Sequence, residues 1–563
     1  MKIKPYNFPL LIILAGIFFS LYLQFQVPEG VFYSGDAGLK ALLAKQLSFG
    51  QLRFDLAPPP ESWVQNLWNN ALYPFEEPFV YNFANRYYIT FPYTFPLVTA
   101  PFYALFGYRG FYIIPLISTW AIWVSFYWAC QRLKFNKTKT AIALAILIFA
   151  SPLTLYSATY WEHTLSVALA FQGIAMLLIP GKSQGLTIKN AAISGILIGL
   201  SVWFRPEFLC LVGILLVLVY FASLAKVSQL DVLTKNLNLT KLSCLTKNRE
   251  IFVASMLITV GLFFLSNQLI YAHPLGIHAI QVVEKQTLSA RLLAAWKNFN
   301  QLGIAIFEYF PIAFFPVLYI PISCAIKRQV KFNLRLAIIY LICFLFIIGV
   351  SLLVPAGTAG LIPGGKQWGP RFLLILIPII ALLAIKEWQV INLKARPPLK
   401  YASLAILSLL FVIGLHKNTY LGTLDLNKNH QGVLPAIQFL QKKPERIIAM
   451  SHQFVAQVLE PGLSRDKLFF RAEDSSKLVK LSQTLVENKT QTFLYVCYPF
   501  RDCNPPKDSP EKLKFSQGNQ QYAIQLSNLG KFGRYPIYQA SIVKSSLPKP
   551  NASPPPTKVP VKQ

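Results

Sequence analysis

The chain has 563 residues, of which 54% are hydrophobic, 14% aromatic and only 13% charged. This composition excludes an ordinary soluble globular protein, in which about a quarter of the residues are charged. The formal net charge of +30 would suggest a nucleic-acid partner in a soluble protein, but here much of it lies in loops between apolar stretches and in a basic tail. Contact with membrane lipids of negative charge explains it better, and no nucleic-acid partner is expected.

Apolar stretches of roughly 16 to 22 residues recur about eleven times before Leu415, and an α-helix of that length crosses the hydrocarbon core of a membrane. Most clusters of Lys and Arg fall in alternate loops, which indicates a cytoplasmic N-terminus by the positive-inside rule. The sequence therefore predicts a polytopic α-helical protein of the plasma (inner) membrane, with residues 1–416 as its transmembrane domain. The expected spans are 8–25, 111–130, 140–156, 164–180, 190–204, 208–224, 251–270, 304–325, 336–354, 371–385 and 401–415.

The first predicted outer loop, residues 26–95, is long, aromatic and rich in proline. Four leucines fall on one face of a helix expected to begin just after Asp36, namely Leu39, Leu42, Leu43 and Leu47. This pattern predicts an amphipathic helix that lies along the membrane surface and holds Asp36 near the headgroups. Asp36 suits the N-cap of that helix, and a cap and a catalytic role are compatible.

Two short outer turns carry charged residues between spans. Tyr160-Trp161-Glu162-His163 places an acid and an imidazole at the membrane boundary, where ionisable groups are costly unless they are paired or functional. The alternative is an interfacial belt, with Tyr160 and Trp161 as anchors and Glu162 as the cap of the next helix. In the other turn, Arg205 and Glu207 flank Pro206. The alternative to a functional role is an ion pair between them that stabilises a tight turn, with Pro206 starting the next helix.

The fifth predicted outer loop, PAGTAGLIPGGKQWGPRF, contains five glycines as well as Lys366 and Arg371, and it precedes an apolar run. Glycines let backbone N–H groups approach a ligand closely, and two cations next to a helix N-terminus favour an anion. The planar guanidinium of Arg371 suits phosphate oxygens in particular. The loop is therefore predicted to bind a phosphate, whereas the alternative is a flexible loop with a snorkelling arginine.

After Lys417 the chain becomes polar and alternates between helix-like and strand-like stretches. Residues 417–545 are predicted to form a small α/β domain on the outside, followed by a disordered, basic and proline-rich tail over 546–563. The expected strands are 447–450, 467–470, 492–498 and 536–543, with a helix over SSKLVKLSQTLVEN. Cys497 and Cys503 lie in this domain, where an oxidising compartment permits either a disulfide or free thiols.

Taken together, these segments resemble the GT-C superfamily of membrane glycosyltransferases, on the bacterial branch of protein O-mannosyltransferases and aminoarabinose transferases. The resemblance covers about residues 8–415 and rests on the order of five segments and their common outward placement. These are SGDAGLKALLAKQL, YYITFPYTFPLVTAPFYALFG, YWEHT, FRPE and WGPRFLL. Tyr93-Thr94-Phe95 stands where the family more usually has Pro-Gly.

The resemblance implies that a sugar, a hexosyl or pentosyl group, is transferred from a polyprenyl-phosphate carrier to a protein, lipid or glycan acceptor at the outer membrane face. Asp36 matches the family's first-loop acid and is expected to be the general base of an inverting displacement. Lys366, Arg371 and Arg205 are expected to bind the lipid phosphate. Glu162 and His163 are expected to orient the acceptor or to hold a divalent metal, which some relatives use and others do not; the cofactor thus stays unknown.

The sequence departs from the family in two places. Asp36 lacks the adjacent second acid of the protein O-mannosyltransferases, and Asp55, Glu61, Glu76 and Glu77 all stay open as a second acid. The oligosaccharyltransferase signature WWDYG is absent. A polytopic transporter, an envelope-assembly protein without transferase activity and an envelope polymerase or ligase remain alternatives, and convergence of Asp36 and Arg371 on one cavity is what an enzyme requires.

Overall fold

The computed structural model describes residues 7–179, 186–227, 248–277, 287–319, 334–354, 367–501 and 513–545. Apolar and small residues form most of its helices. In chain order they are α1 Phe8–Phe25, α2 Gly35–Ser48, α3 Ser62–Leu67, α4 Thr94–Phe106, α5 Ile113–Arg132, α6 Lys137–Phe149, α7 His163–Leu178, α8 Ile188–Phe204, α9 Leu209–Val227, α10 Arg249–Tyr271, α11 Leu288–Tyr309, α12 Leu334–Leu353, α13 Leu376–Lys394, α14 Pro397–Leu415, α15 Gly422–Gln431, α16 Leu434–Lys442, α17 Gln453–Leu459 and α18 Ser475–Glu487.

Eight strands complete the described secondary structure. They are β1 Val80–Phe83, β2 Arg86–Ile89, β3 Ile447–Met450, β4 Leu468–Arg471, β5 Thr492–Val496, β6 Lys514–Gln517, β7 Gln520–Phe532 and β8 Tyr535–Ser545. The chain divides into two compact units. The helical unit comprises Met1–Ala57 and Glu77–Leu434, and the α/β unit comprises Pro58–Glu76 and Pro435–Gln563.

The helical unit contains the apolar helices that the hydropathy pattern predicts. Among the described residues, six helical stretches are long and apolar enough to cross a membrane, and the number rises to eight if each of two bent pairs is one span. Three shorter apolar helices accompany them, His163–Leu178, Ile188–Phe204 and Pro206–Phe221. Since several such helices occur in one chain, this is a multi-pass membrane protein.

Two of the predicted spans are bent. The span expected over 140–156 is α6 followed by the 3₁₀ helix Pro152–Ala158, with a 55° angle between them. Helix α11 begins at Leu288, well before the span expected over 304–325, and the next helical segment, Pro311–Tyr319, turns from it by 109°. A proline near the start of each second segment explains the breaks, since proline lacks the N–H that would continue the preceding helix.

The α/β unit is built on a six-stranded sheet with the order β4-β3-β5-β8-β7-β6. Strand β3 pairs in parallel with β4 and with β5, while β5, β8, β7 and β6 pair antiparallel. The buried side chains of β3, β4 and β5 pack against Leu478, Leu481 and Leu485 of α18. Their spacing of three and four residues places them on one face of that helix, which is why the helix covers the sheet.

The four strands and the helix expected from the sequence are all present as β3, β4, β5, β8 and α18. The compact unit nevertheless begins at Pro435 rather than at residue 417, and it includes Pro58–Glu76 from the predicted first outer loop. Cys497 follows β5 and is disulfide-bonded. Cys503, Lys366 and the tail 546–563 lie outside the described residues, so the predictions on them stay predictions.

Close packing of α8 on α10 gives a first prediction. A Cβ atom added at Gly195 of α8 would lie 2.1 Å from the Ser255 side-chain oxygen and 2.4 Å from the Phe252 carbonyl oxygen, so the helices must move apart. We expect Gly195→Ala to lower the free energy of unfolding by about 1–3 kcal/mol. The measurement is the thermal unfolding midpoint of the purified protein in detergent, followed by tryptophan fluorescence.

The matched control is Gly261→Ala, because Gly261 lies within α10 and has open space at its Cβ position. There the substitution only improves helix propensity, by up to about 1 kcal/mol, and should leave the midpoint unchanged or raised. Equal midpoints for the two variants would contradict the close-packing interpretation.

Candidate active site

Helix α2 carries Asp36, and its first turn differs from the sequence-based expectation. Ser34, not Asp36, is the N-cap: its side-chain oxygen accepts a hydrogen bond from the Ala37 backbone N–H at 3.4 Å. Asp36 lies in the first turn, where the helix dipole favours a negative charge. The prediction that Asp36 caps the helix is therefore wrong, and its carboxylate is available for another partner.

The predicted amphipathic surface helix is also wrong, because α2 is buried almost all round. Leu39 and Leu43 are inaccessible, but so are Ala37, Ala41 and Ala44 on the other faces. Alanines at these positions let α4 approach α2 closely. Helix α2 is thus an internal support of the helical unit, which fixes the position of Asp36 more firmly than a surface helix would.

Arg371 is positioned by the residues just before it. The Trp368 carbonyl oxygen accepts a hydrogen bond from the Tyr156 hydroxyl at 2.9 Å, and the Trp368 indole N–H donates to the Asn418 side chain at 3.2 Å. Gly369 follows with φ +77° and packs against Pro152 and Tyr309. This left-handed conformation favours glycine, so the WGPR sequence makes a sharp turn there. Since Trp368 and Gly369 are held by their contacts, the backbone position of Arg371 is fixed.

Asp36 and Arg371 meet, although 335 residues separate them in the chain. The guanidinium Nη1 of Arg371 donates to the Asp36 Oδ2 at 2.9 Å. The Arg371 guanidinium also lies over the rings of Trp161, at 5.6 Å, and of Phe372, at 5.0 Å. Both side chains keep some contact with solvent, 17% for Arg371 and 19% for Asp36, and Nε of Arg371 has no hydrogen-bond partner among the described residues.

Glu162 is the centre of a second, fully buried ionic cluster. Its Oε1 accepts from Arg205 Nη1 at 2.9 Å, its Oε2 pairs with the Lys40 ammonium group, and only 1% of its side chain is exposed. Arg205 also pairs with Glu207 at 2.5 Å. Burial alone would raise the pKa of Glu162, but Lys40 and Arg205 hold it at about 2, so the carboxylate is ionised at neutral pH.

This geometry corrects the interpretation of the YWEH turn as an interfacial belt. Glu162 occupies the N-cap position of α7, but its side chain makes no capping hydrogen bond. Tyr160 and Trp161 are fully buried instead of lying at a membrane interface. The Trp161 indole N–H donates to Ser34 at 3.1 Å, so the ring on which Arg371 lies is bonded to the cap of the Asp36 helix.

His163 is buried between the rings of Tyr156 and Trp161, at centroid distances of 5.6 and 5.3 Å. Neither ring nitrogen has a hydrogen-bond partner among the described residues. Buried polar atoms are rarely left unpaired, and those that are unpaired in a protein alone commonly bond to water or a ligand. Of the six predicted site residues, the structure brings together Asp36, Arg371, Glu162, Arg205 and His163.

Sequence reasoning missed Lys40, which is 1% exposed and lies 4.4 Å from the centre of the Phe91 ring. The signal was available, since Lys40 stands four residues after Asp36 and therefore on the same side of α2. Asp425 was also missed: it accepts a hydrogen bond from the Tyr33 hydroxyl at 2.7 Å, next to Ser34 in the chain. Burial, and then Asp425, raise the pKa of Tyr33.

Three of the four candidates for a second acid form ion pairs with arginines. Asp55 pairs with Arg53, Glu61 with Arg446, and Glu76 with Arg471.

The described residues contain no group of ligands suited to a metal ion, because no three of their His, Cys, Asp or Glu side chains cluster as such an ion requires. Both oxygens of Glu162 already face cations, so a metal there would have to displace Lys40 or Arg205.

The sequence matches no protein-family model and no curated protein sequence. The structure is similar to ArnT from Cupriavidus metallidurans bound to undecaprenyl phosphate, with a TM-score of 0.53, 13% identity, and coverage of 95% of this chain and 98% of that chain. For the same protein in the apo state the TM-score is 0.50 at 11% identity, with coverage of 94% and 97%.

A weaker similarity is found to the archaeal oligosaccharyltransferase AglB from Archaeoglobus fulgidus in complex with an inhibitory peptide and a dolichol-phosphate. Its TM-score is 0.46 at 13% identity, with coverage of 88% of this chain and 70% of that chain. The fold assignment rests on the two ArnT structures. At such identities the similarity shows the fold alone, and this fold agrees with the one that the resemblance implied.

The buried cluster around Glu162 gives a prediction on stability. Glu162→Gln removes one charge and leaves Lys40 and Arg205 without their shared partner, so we expect a loss of about 3–5 kcal/mol in the free energy of unfolding. The control is Glu308→Gln, since the Glu308–Lys417 pair has a 41% exposed carboxylate and should contribute about 0–1 kcal/mol. Chemical unfolding in detergent, followed by tryptophan fluorescence, measures both.

The pKa of Glu162 sets the pH range over which the Glu162→Gln substitution lowers the free energy of unfolding. Because the pKa of Glu162 lies below its ordinary value, its contribution is fully present above about pH 5 and is lost only as the pH falls towards the folded-state pKa. The difference in stability between wild type and Glu162→Gln should therefore be constant from neutral pH down to about pH 5. A difference that shrinks between pH 8 and pH 6 would contradict the assignment of an ionised Glu162.

Proposed function

We propose that this chain is a membrane glycosyltransferase that moves a sugar from a polyprenyl-phosphate carrier to an acceptor hydroxyl on a protein, lipid or glycan. The observation that carries the proposal is the 2.9 Å contact between Asp36 and Arg371, in a fold shared with ArnT. An enzyme of this kind needs a base and a phosphate-binding cation at one place. A transporter or an envelope-assembly protein has no such requirement.

Asp36 is proposed as the general base of a single displacement. Its carboxylate takes the proton of the acceptor hydroxyl while the acceptor oxygen bonds to C1 of the sugar. The bond between C1 and the phosphate oxygen breaks at the same time, and its electron pair leaves with the lipid phosphate. Attack from the side opposite the phosphate inverts the configuration at C1. Partial exposure of Asp36 supports this role, because an acceptor must reach the base.

Arg371 is proposed to bind the lipid phosphate, with Lys366 and Arg205 in support. Three cations and three carboxylates pair in the network, so an incoming phosphate must take one cation from its partner. The Asp36–Arg371 pair is the one that costs least to open, since it is the most exposed of these pairs. Phosphate binding at Arg371 would thereby release Asp36 as a base.

The roles of Glu162 and His163 follow from their surroundings. Glu162 is proposed to hold Lys40 and Arg205 in place rather than to bind a metal or the acceptor, because both of its oxygens are engaged by those cations. His163 is proposed to bind the acceptor, since its two ring nitrogens have no partner among the described residues. The sugar itself, hexosyl or pentosyl, is not specified by these contacts.

We also propose that the chain crosses the inner membrane eleven times, with its N-terminus in the cytoplasm and the α/β unit outside. The six long helices, the two bent pairs and the three shorter apolar helices each overlap one span expected from hydropathy. An odd number of crossings puts the N-terminus and the α/β unit on opposite sides. The basic residues of the predicted inner loops support the cytoplasmic side for the N-terminus.

Thiol labelling in intact cells tests this topology. Ser476→Cys places a thiol on α18 and Thr138→Cys places one on the first turn of α6, and both positions are exposed. A membrane-impermeant maleimide should label Ser476→Cys in cells and Thr138→Cys only after lysis. The parent protein supplies the background from its native cysteines. Labelling of Thr138→Cys before lysis, or of both variants alike, would reverse or refute the proposed orientation.

Transfer activity is tested with radiolabelled polyprenyl-phosphate sugars and a crude envelope acceptor, with the protein in lipid nanodiscs. Asp36→Asn should retain lipid binding and lower turnover by about 10²–10⁴-fold, because only the general base is lost. Arg371→Gln should weaken donor binding as well as turnover, by about 10²–10³-fold in total. Wild-type turnover by Asp36→Asn would refute the proposed base.

The matched control is Asp55→Asn, an acid of the same predicted loop that pairs with Arg53. It should keep wild-type transfer after correction for the folded fraction. If Asp55→Asn and Asp36→Asn lose transfer equally, the effect is structural. If the wild-type protein binds the lipid but transfers none of the tested sugars, the carrier-binding or assembly alternative is favoured instead.

A further inference from the structure

The α/β unit contains a second arrangement that the transfer reaction does not use, at the carboxyl ends of its parallel strands. Strand β3 connects through α17 to β4, its neighbour on one side in the strand order, whereas β6, the next strand in the chain after β5, forms the opposite edge of the sheet. Adjacent parallel strands whose connections depart in opposite directions leave a crevice between them. In open α/β sheets this switch point is where ligands bind.

An aromatic cluster lies at the carboxyl ends of β3 and β5, at this switch point. His452 follows β3 and stacks on Tyr498, which follows β5, with 4.9 Å between ring centroids and 22° between ring planes. Phe454 contacts both rings, at 4.6 and 5.5 Å. Phe500 continues the cluster from Tyr498 at 5.6 Å and is 53% exposed. A hydrogen bond from the Tyr498 backbone N–H to Ser451 Oγ at 2.9 Å joins the two strand ends.

His452 has an unused donor in this cluster. Its Nδ1 accepts a hydrogen bond from the Phe454 backbone N–H at 3.2 Å, so the proton of the neutral ring is on Nε2. Burial and the nearby Arg501 keep the pKa of His452 below its usual range, which favours this neutral form. Nε2 has no hydrogen-bond partner among the described residues, although His452 is only 6% exposed.

Four of the charged groups near His452 pair with one another. Arg471 pairs with Glu76 and lies 3.7 Å from Glu473, which also pairs with Lys477. The buried Gln453 holds Glu76 through two hydrogen bonds, at 3.1 and 3.2 Å. These contacts hold the acidic groups on the polar side of the crevice. Arg501 lies near His452, and the Arg534 guanidinium lies over the Phe500 ring at 5.8 Å, so the crevice offers aromatic rings, a neutral N–H donor and positive charge.

We infer that this crevice, formed by His452, Phe454, Tyr498 and Phe500, is a binding site for a saccharide. A sugar ring presents an apolar C–H face that packs on an aromatic ring and hydroxyl oxygens that accept from an N–H donor such as His452 Nε2. The crevice itself is independent of the transfer reaction. The choice of a saccharide over other ring-shaped polar ligands rests on the proposed function, in which a glycan is one of the candidate acceptors.

Saturation-transfer NMR on the full chain in nanodiscs tests the site. The probes are maltotriose, mannotriose, triacetylchitotriose and trigalacturonate, the last to include an acidic saccharide. We expect binding of at least one probe, and about a tenfold weaker affinity in Phe500→Ala, which removes the exposed ring. His452→Asn should have a similar effect, because asparagine keeps an acceptor for the Phe454 N–H but loses the Nε2 donor.

Tyr522→Ala is the matched control. Tyr522 is an aromatic residue of the same unit that stacks on Phe515 beside the edge strand β6, away from β3 and β5 in the strand order. It should bind the probe like wild type. Absence of binding for all four saccharides, or binding that Phe500→Ala and His452→Asn leave unchanged, would overturn the inference.

The variant Asp36→Asn separates this inference from the proposed function. If Asp36→Asn transfers sugar normally while saccharide binding depends on Phe500, the crevice stands and the proposed base does not. If Asp36→Asn loses transfer and the crevice variants bind saccharide normally, the proposed function stands alone. Saccharide binding that is lost in Asp36→Asn but kept in Phe500→Ala would place the ligand in the helical unit and overturn the crevice.

Discussion

The candidate active site depends on the burial of one carboxylate, Glu162, between two cations. Removing an ionised group from water costs several kcal/mol, and a single partner seldom compensates for that cost. Here Lys40 comes from α2 and Arg205 from the end of α8, while Glu162 precedes α7. The buried Glu162 carboxylate is stable in its ionised form only when both cations are present, so the three segments are fixed relative to one another. Because Lys40 and Asp36 lie on the same helix, α2, the position of Asp36 is fixed as well.

The two ionic clusters have different physical characters, and the difference suits a catalytic site. The Glu162 cluster is buried, so its pairs are strong and exchange little. The Asp36–Arg371 pair has partial access to solvent, so it is weaker and can be replaced by a ligand of the same charge. A rigid, buried cluster beneath an exchangeable pair is what preorganisation requires: the supporting charges stay in position while the reacting ones change partners.

Much of this could be predicted from the sequence where the determinants are local. Hydropathy located the apolar helices because each span must satisfy its backbone hydrogen bonds within itself. It did not locate the hairpin of β6 and β7, whose many exposed polar residues hide the strand pattern. In SGDAG, Ser34 and Asp36 both suit an N-cap, and the partner that Asp36 has instead, Arg371, is 335 residues away. The role of Lys40 depends in the same way on Glu162, 122 residues away.

The proposed reaction moves negative charge from Asp36 to the lipid phosphate. Before the reaction, Asp36 carries a negative charge and the bound phosphodiester carries one more. When the acceptor proton passes to Asp36 and the C1–oxygen electron pair leaves with the phosphate, the negative charge of Asp36 disappears and that of the phosphate increases. The total is unchanged, so the charge has moved from one partner of Arg371 to another. In the proposed reaction Arg371 has already exchanged Asp36 for the phosphate, so its guanidinium lies beside the oxygens on which the negative charge develops and stabilises that charge there.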